Sequence, residues 1–391
     1  MRYPIASLAK PVAAHVRRGH PFIWREALRL PVGLVAGDVI DVAERDGRFV
    51  ARGVVEPTSP VAFRVWTLDP ECAVDAALLE ARLSSAAALR RDVLHGEVTG
   101  YRLCHGENDG LPGLQCDLYD DVASLRTDGA IGLAWQDRFV AAIERLVRPR
   151  AVVVRNPQRD GGAAVLVAGQ LTAPVVIREG GRLLAVDVLR GQKTGAFLDQ
   201  RENRDRVGAL CGDRRVLNLF CYTGGFSVAA ALGGARRVVS VDIAAPAVEA
   251  ARENFRLNQL DPAAHGFEVA DAFAYLEALA ARDPQHDLII VDPPSFAPSQ
   301  KALPKAKAAY LRLNTLALRA LPAGGWLATA SCSSHLRELD FLALIAEAAA
   351  QAGRTLTVAG VFGAGPDHPT RPGFAEGHYL KFVLARVTNG Q

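Results

Sequence analysis

The sequence predicts an α/β protein whose C-terminal half is a doubly wound, mainly parallel sheet, preceded by a small β-rich module and an α+β unit. Three observations lead there. From about Asp187 onward, apolar strands alternate with helical patterns. Acidic residues stand at the ends of successive strands in that region. The preceding stretch lacks this rhythm and reads as short strands, turns and separate helices. A chain of 391 residues is also too long for one ordinary core, since domains of about 150 residues are usual. We therefore expect divisions at 1–73, 74–184 and 185–391.

In the first division, Gly37-Asp-Val-Ile-Asp-Val42 and Arg48-Phe-Val-Ala-Arg-Gly-Val-Val55 read as strands, and Asp46-Gly47 between them is a hairpin signal. From Ala76 to Leu94 the pattern becomes helical, with Leu78, Leu79, Leu83 and Leu89 near one face. Residues 101–180 hold further strands, the turn Asn108-Asp-Gly-Leu-Pro-Gly113 and a helix near Trp135–Leu146. The third division has strands at Arg215–Phe220, Arg237–Asp242, Asp287–Asp292 and Gly325–Ser331, and each but the first leads into a clear helical pattern. Alanine-rich helices are expected at 244–251 and 342–352. Such alternation builds a parallel sheet with ligands beyond the carboxyl ends of its strands.

Half the residues are hydrophobic and 22% are charged, ordinary for a soluble globular chain. No apolar run approaches the ~20 residues of a membrane span. Met1 leads into Arg2-Tyr-Pro rather than a signal peptide, so the expectation is a cytoplasmic protein without membrane contact. Cysteines 72, 104, 116, 211, 221 and 332 form no Cys-x-x-Cys pair, so neither a metal site nor a disulfide framework is expected. Cys72, Cys104, Cys116 and Cys211 read as small buried hydrophobes, and Cys221 as packing. A net charge of +3 is a weak signal. Basic residues do cluster at Arg17 and Arg18, at Arg145, Arg148, Arg150, Arg155 and Arg159, and at Lys301, Lys305 and Lys307. Each cluster is either a solvated face or a phosphate contact.

The first strand of the C-terminal region runs into Cys221-Tyr-Thr-Gly-Gly-Phe-Ser227 and a helix at Val228–Leu232. Gly224 and Gly225 would let the backbone pass close to a ligand. The remaining glycines of a dinucleotide fingerprint are missing, so a pyrophosphate is not favoured. Asp242 ends the next strand, eighteen residues past Gly224, where a carboxylate can accept from two ribose hydroxyls. Asp271 follows a third strand and could meet an adenine amino group. Either aspartate alone could equally be a helix N-cap. Together the three features point to a nucleoside-bearing cofactor, with Phe220, Tyr222, Thr223, Gly224, Gly225, Asp242, Asp271 and also Asp292 as its candidate contacts.

Strand four ends in Asp292-Pro-Pro-Ser-Phe296. Two prolines make a rigid exit that can hold Asp292 against the edge of a heterocycle. Pro293 and Phe296 would face it, Phe296 as a stacking surface worth about 1–3 kcal/mol; the alternative is a proline turn with a core phenylalanine. The next strand carries Thr329-Ala-Ser-Cys-Ser-Ser334. Cys332 then lies on the same rim among small hydroxyl residues, where an exposed thiolate could attack a substrate.

These segments resemble the bacterial large-subunit ribosomal RNA cytosine-5 methyltransferases that carry an N-terminal PUA domain. The likeness includes Asn218-Leu-Phe-Cys-Tyr-Thr-Gly-Gly-Phe-Ser227, Asp292-Pro-Pro-Ser-Phe296 and Ser331-Cys-Ser333. It extends over nearly the whole chain, through Arg18-Gly-His-Pro-Phe-Ile-Trp24, Gly106-Glu-Asn-Asp-Gly-Leu-Pro-Gly113, Gly191-Gln-Lys-Thr-Gly-Ala-Phe-Leu-Asp-Gln-Arg201 and His378-Tyr-Leu-Lys381. Gln192 departs from the histidine commoner in such proteins. The resemblance implies a Rossmann-like methyltransferase domain, S-adenosylmethionine as methyl donor, large-subunit rRNA as partner and 5-methylcytidine as product. It further implies that Cys332 adds to cytosine C6 while Asp292 assists at N3 or the exocyclic amine, activating C5. Ser295 stands where some RNA cytosine methyltransferases carry a second, releasing cysteine.

By the same resemblance, Gln200 is expected near the cofactor, and Lys193 and Arg201 near RNA. Thr194 and Asp199 are explained as well by a helix start as by catalysis. Arg18, His20 and Trp24 are candidates for the RNA-binding face of the PUA module, although Trp24 could be core. Residues 297–307 suit either an RNA-ordered loop or a plain solvated one. Two rivals remain open: methylation of an exocyclic amine, as in guanine N2-methyltransferases, and a non-catalytic RNA-binding assembly factor. A homodimer is compatible with the sequence.

Overall fold

The hairpin signalled by Asp46-Gly47 forms, joining strands Val39–Ala43 and Phe49–Val55 in antiparallel register. The computed structural model describes residues 3–157, 160–171, 174–280, 285–297 and 299–388. By contacts the chain falls into two units. One comprises Met1–Ile177, Val186–Leu198 and Pro366–Gly377, and the other Arg178–Ala185, Asp199–Gly365 and His378–Gln391.

The first unit holds two sheets. Its N-terminal six-stranded sheet closes around Ile23, Ile40, Val42, Val50 and Phe63, all nearly inaccessible. The five-stranded sheet that follows is packed by helices Ala76–Val93 and Gly129–Val147, with Trp135 and Phe139 in the shared core. Asp75 caps the first of these helices by accepting from the Leu78 amide at 3.0 Å. The second helix starts six residues before the expected Trp135. Gly132 obscured that start: a Cβ there would lie 2.8 Å from the Thr127 backbone, so close packing demands a poor helix former. Gly37 is constrained similarly, its absent Cβ falling 2.5 Å from that of Ala134. Its carbonyl accepts from the Trp135 indole at 3.0 Å.

The second unit is the doubly wound sheet. Its elements are α1 (Arg201–Ala209), β1 (Arg215–Leu219), α2 (Gly225–Leu232), β2 (Arg237–Asp242), α3 (Ala245–Leu257), β3 (Gly266–Val269), α4 (Ala272–Ala280), β4 (Leu288–Val291), α5 (Leu303–Arg319), β5 (Trp326–Ser331), α6 (Glu338–Ala352), β6 (Thr355–Phe362) and β7 (Lys381–Thr388). The spatial order is β3-β2-β1-β4-β5-β7-β6. The first five strands are parallel, and β7 lies antiparallel to both its neighbours. Val216, Leu217, Leu219 and all of Leu288–Val291 are fully buried, as continuous apolar strands must be when helices cover both faces. Helix α2 is longer than the Val228–Leu232 read from sequence. Phe226, Ser227, Val228, Ala229 and Ala230 are all buried, so it has no polar face and little periodicity.

Candidate active site

Parallel strands aim their carboxyl ends at one rim, and register sets who meets there. Leu219 of β1 is paired with both Val241 of β2 and Val291 of β4. Phe220, Asp242 and Asp292 therefore stand side by side one residue further on, at strand spacings of about 4.8 Å. Beyond β3 comes Asp271, and beyond β5 comes Cys332. A cavity of ≈ 620 Å³ lined by Arg215, Arg237, Glu268, Tyr275 and His286 includes the first residues of β1 and β2, at the opposite edge from this rim.

The turn after β1 is strained. Phe220 (φ 56°) and Tyr222 (φ 48°) are left-handed, as is Gly224 (φ 80°), a conformation that costs a non-glycine residue roughly 1–2 kcal/mol. Asp242 holds it in place: one carboxylate oxygen accepts from the Tyr222 amide and the other from the Ala244 amide, each at 2.9 Å. Asn254 of α3 donates to the Thr223 carbonyl at 2.8 Å. Both glycines are also required by the protein's own packing. A Cβ on Gly224 would come 2.8 Å from the Ala251 Cβ, and one on Gly225 would meet Arg204 at 3.1 Å.

This rim fits a nucleoside. A carboxylate has about four acceptor positions, and the two bonds to Asp242 leave room for a ribose diol. Asp271 is exposed and caps α4 through the Ala274 amide at 3.0 Å, so it is an N-cap with acceptor capacity to spare. Asp242→Ala is expected to weaken S-adenosylmethionine binding by roughly 10- to 100-fold, at about 1.5–3 kcal/mol for bonds to a charged group. Titration calorimetry would read this, and unchanged affinity would remove Asp242 from the cofactor site.

On the other side of β1, Asp292 and Cys332 are each half-buried. Tyr310 of α5 lies fully buried between their elements and accepts from the Ser331 hydroxyl at 3.0 Å. Burial pushes its phenol up to about 12, and the charges of Cys332 and Asp292 add to that rise, so the three groups share one electrostatic neighbourhood. Ser333 bonds the Ala297 carbonyl at 3.1 Å, tying the cysteine turn to the proline turn. Pro293 is buried, and Phe296 is half-buried with its ring 4.9 Å from that of Tyr310, so part of this aromatic face belongs to the core. Burial pushes the thiols of Cys104, Cys116 and Cys221 up, and that of Cys211 to about 12. They are packing groups, as expected. Cys72 is not: it is half-buried, with its thiol near the Ala73 carbonyl.

Several of the expected contact residues have partners within the protein. Arg201, expected at an RNA phosphate, is 3% exposed and pairs with Glu202 at 3.1 Å. Gln200 is likewise buried, its amide oxygen accepting from Asn203 at 2.7 Å. Asp199 accepts from the Tyr379 hydroxyl at 2.7 Å. Lys193, half-buried in the first unit, lies over the Phe197 ring at 4.2 Å. Thr194 begins no helix, and its hydroxyl joins a buried network with Asp117 and Tyr119.

His20 is buried, stacked on His15 with ring centroids 4.1 Å apart, while Arg18 and Trp24 are exposed. The stretch expected as a loop holds a 3-10 turn at Gln300–Ala302 and then the first residues of α5, with Pro298 outside the described residues. Arg17, Arg145 and Arg150 are paired with Glu44, Glu80 and Asp121, and Arg155 donates to backbone carbonyls. Arg159 lies outside the described residues. Tyr310 escaped sequence reasoning altogether, since it sits mid-helix in no motif.

Among the described residues, no group of three or more His, Cys, Asp or Glu side chains is placed to hold a metal ion. Among them, too, no helix is long and apolar enough to cross a membrane.

A family model for S-adenosylmethionine-dependent methyltransferases matches residues 138–371, and one for PUA-like domains matches residues 7–68. Proteins named ribosomal RNA large subunit methyltransferase I are similar throughout. The one from Shewanella denitrificans is 36% identical over 95% of this chain and 96% of its own. That from Aeromonas salmonicida is 37% identical over 95% and 96%, and that from Shigella boydii 36% over 97% and 98%. Among solved structures, a protein from Streptococcus mutans described as a SAM-dependent methyltransferase superimposes with a TM-score of 0.87 at 22% identity, covering 98% of this chain and 100% of that one. A second, described as a methyltransferase and complexed with SAH, gives 0.87 at 23% identity, covering 99% and 100%. At these identities the two structures speak for the fold.

Proposed function

The chain belongs to the ribosomal RNA large subunit methyltransferase I family of S-adenosylmethionine-dependent enzymes, and from that premise we propose that it methylates C5 of a cytidine in large-subunit rRNA. The observation that carries the proposal is a half-buried Cys332 on the same rim as Asp292, with the proposed cofactor residues on the other side of β1. Methylating an exocyclic amine requires no nucleophile; a ring carbon as unreactive as cytosine C5 does.

Asp242 and Asp271 would hold the ribose and adenine of the cofactor at the turn after β1. S-adenosylmethionine supplies an electrophilic methyl group there. Cys332 adds as thiolate to C6, forming the S–C6 bond and moving the ring's electron pair toward C5. Asp292, on its proline-fixed turn, hydrogen-bonds the N3 or amine edge and favours the protonated ring as that density gathers. C5 would take the methyl group as its bond to the cofactor's sulfur breaks and leaves a thioether; the C5 proton would then pass to water, and the S–C6 bond would break with its electron pair returning to Cys332. The exposed Arg18 and Trp24 are RNA contacts of the PUA-like domain in this reading. Action on rRNA implies a cytoplasmic enzyme.

The test is transfer from labelled S-adenosylmethionine to unmodified large-subunit rRNA, followed by nucleoside mass spectrometry. We expect 5-methylcytidine. N2-methylguanosine instead would establish the amine chemistry, and no product together with no cofactor binding would leave an RNA-binding assembly factor.

A further inference from the structure

We propose that Lys381 is the positioning residue for the nucleophile: its buried ammonium, anchored beside the Cys332 turn, holds the Cys332 sulfur as a thiolate. The proposal rests on the reading of Cys332 as the nucleophile, and its test stands apart from that of the reading.

Lys381 opens β7 and is paired with Ser331, the last residue of β5. It is 3% exposed. Its Nζ donates to the Ser333 carbonyl and, at 2.8 Å, to the Tyr379 carbonyl. The first of these fixes the ammonium one residue beyond the nucleophile in the chain. Both bonded partners are neutral, and among the described residues the third N–H has no acceptor. An ammonium buried among neutral groups is costly unless an anion lies near. Two acidic groups are within electrostatic reach, the Cys332 thiol and Glu338 of α6. Burial pulls the ammonium down to about 8, and those two charges act against the fall.

A lysine serving packing alone would be better replaced by an apolar side chain of similar length. Beside a thiol, the charge has a use. The Cys332 proton leaves to bulk water, the sulfur keeps the electron pair, and Lys381 remains protonated. The same charge favours the thiolate again as leaving group when the S–C6 bond breaks.

The other ionisable groups around this pair oppose or do not supply that charge. Asp292 after β4 and Tyr310 of α5 are acids, Glu338 competes for the ammonium, and His335 and His378 in the flanking turns are exposed. The ammonium's help is therefore present below about pH 8 and fades as the lysine loses its proton above it.

The experiment is the pH dependence of Cys332 alkylation by iodoacetamide in the full-length protein, read by mass spectrometry of the Cys332 peptide. Wild type should show a midpoint below the ~8.5 of a free cysteine. Lys381→Met should raise it, slowing alkylation at pH 7 by about tenfold for each pH unit the midpoint rises and leaving the high-pH rate unchanged. Lys381→Arg should restore the wild-type profile, and S-adenosylmethionine binding should persist in both variants. A wild-type midpoint at or above that of free cysteine overturns the proposal without any variant, which covers a Lys381→Met chain that fails to fold. So does a Lys381→Met profile superimposable on wild type. Failure of the nucleophile reading would show separately, as 5-methylcytidine made by a chain lacking Cys332.

Discussion

Cys332→Ala is expected to abolish 5-methylcytidine formation on unmodified large-subunit rRNA while leaving S-adenosylmethionine affinity near that of wild type. The loss should be roughly 10⁴-fold or more, the scale on which removal of a covalent nucleophile acts in hydrolases. The split between activity and binding follows from the geometry. The thiol is half-buried at the end of β5, and the proposed cofactor residues lie beyond β1 and β2, with β4 between. Alanine removes one sulfur from a turn whose shape is kept by Ser331, Ser333 and Tyr310. Nucleoside mass spectrometry and titration calorimetry on one preparation give both readings. If the alanine variant still produced 5-methylcytidine, covalent activation through Cys332 would be wrong and another group would have to activate the ring.

The second large effect is on stability, and it reaches the rim through Gly225. Glu179 is fully buried; it accepts from the Arg204 Nε at 2.7 Å, from the Arg204 terminal nitrogen at 2.5 Å and from Arg182 at 3.0 Å. Burial alone would raise its carboxyl pKa, but Arg204 foremost, then Arg182 and Arg201, outweigh that and leave it lowered. The Arg204 side chain runs beside Gly225, where a Cβ would meet it at 3.1 Å.

Glu179→Ala leaves two buried guanidiniums without their shared anion and should cost about 3–5 kcal/mol, read as a lower urea midpoint at pH 7. Because the folded-state pKa lies below the unfolded value, Glu179's contribution is present above about 4.3. It is lost as pH falls through the lowered folded-state pKa. The difference between wild type and Glu179→Gln should therefore narrow in acid. Equal urea midpoints at pH 7 would mean that water, not Glu179, satisfies Arg204.

The doubly wound sheet was legible because its evidence is local. Leu288–Val291 is a short apolar run bounded by Asp287 and Asp292, and such a run declares a buried strand wherever its neighbours lie. Helix boundaries were less legible where small residues served packing: Gly132 delayed the apparent start of Gly129–Val147, and the alanines of α2 hid its period. Burial of charged residues was not legible at all. Arg201 reads as a surface cation, yet it is 3% exposed, since a charged residue's neighbours in the chain do not record what packs over it.

The same division holds at the site. By itself the sequence determined that Asp242, Asp292 and Cys332 close three strands, and in a parallel sheet chain direction alone sends those ends to one rim. Only the tertiary structure decided what surrounds them. The Ser331 to Lys381 pairing spans fifty residues, and Tyr310 reaches the cysteine turn from the middle of a helix. Gly224 leaves room for Ala251 on α3, a contact no local pattern announces. Register and helix packing bring these groups together, and both depend on contacts between segments whose separation in the chain carries no local signal.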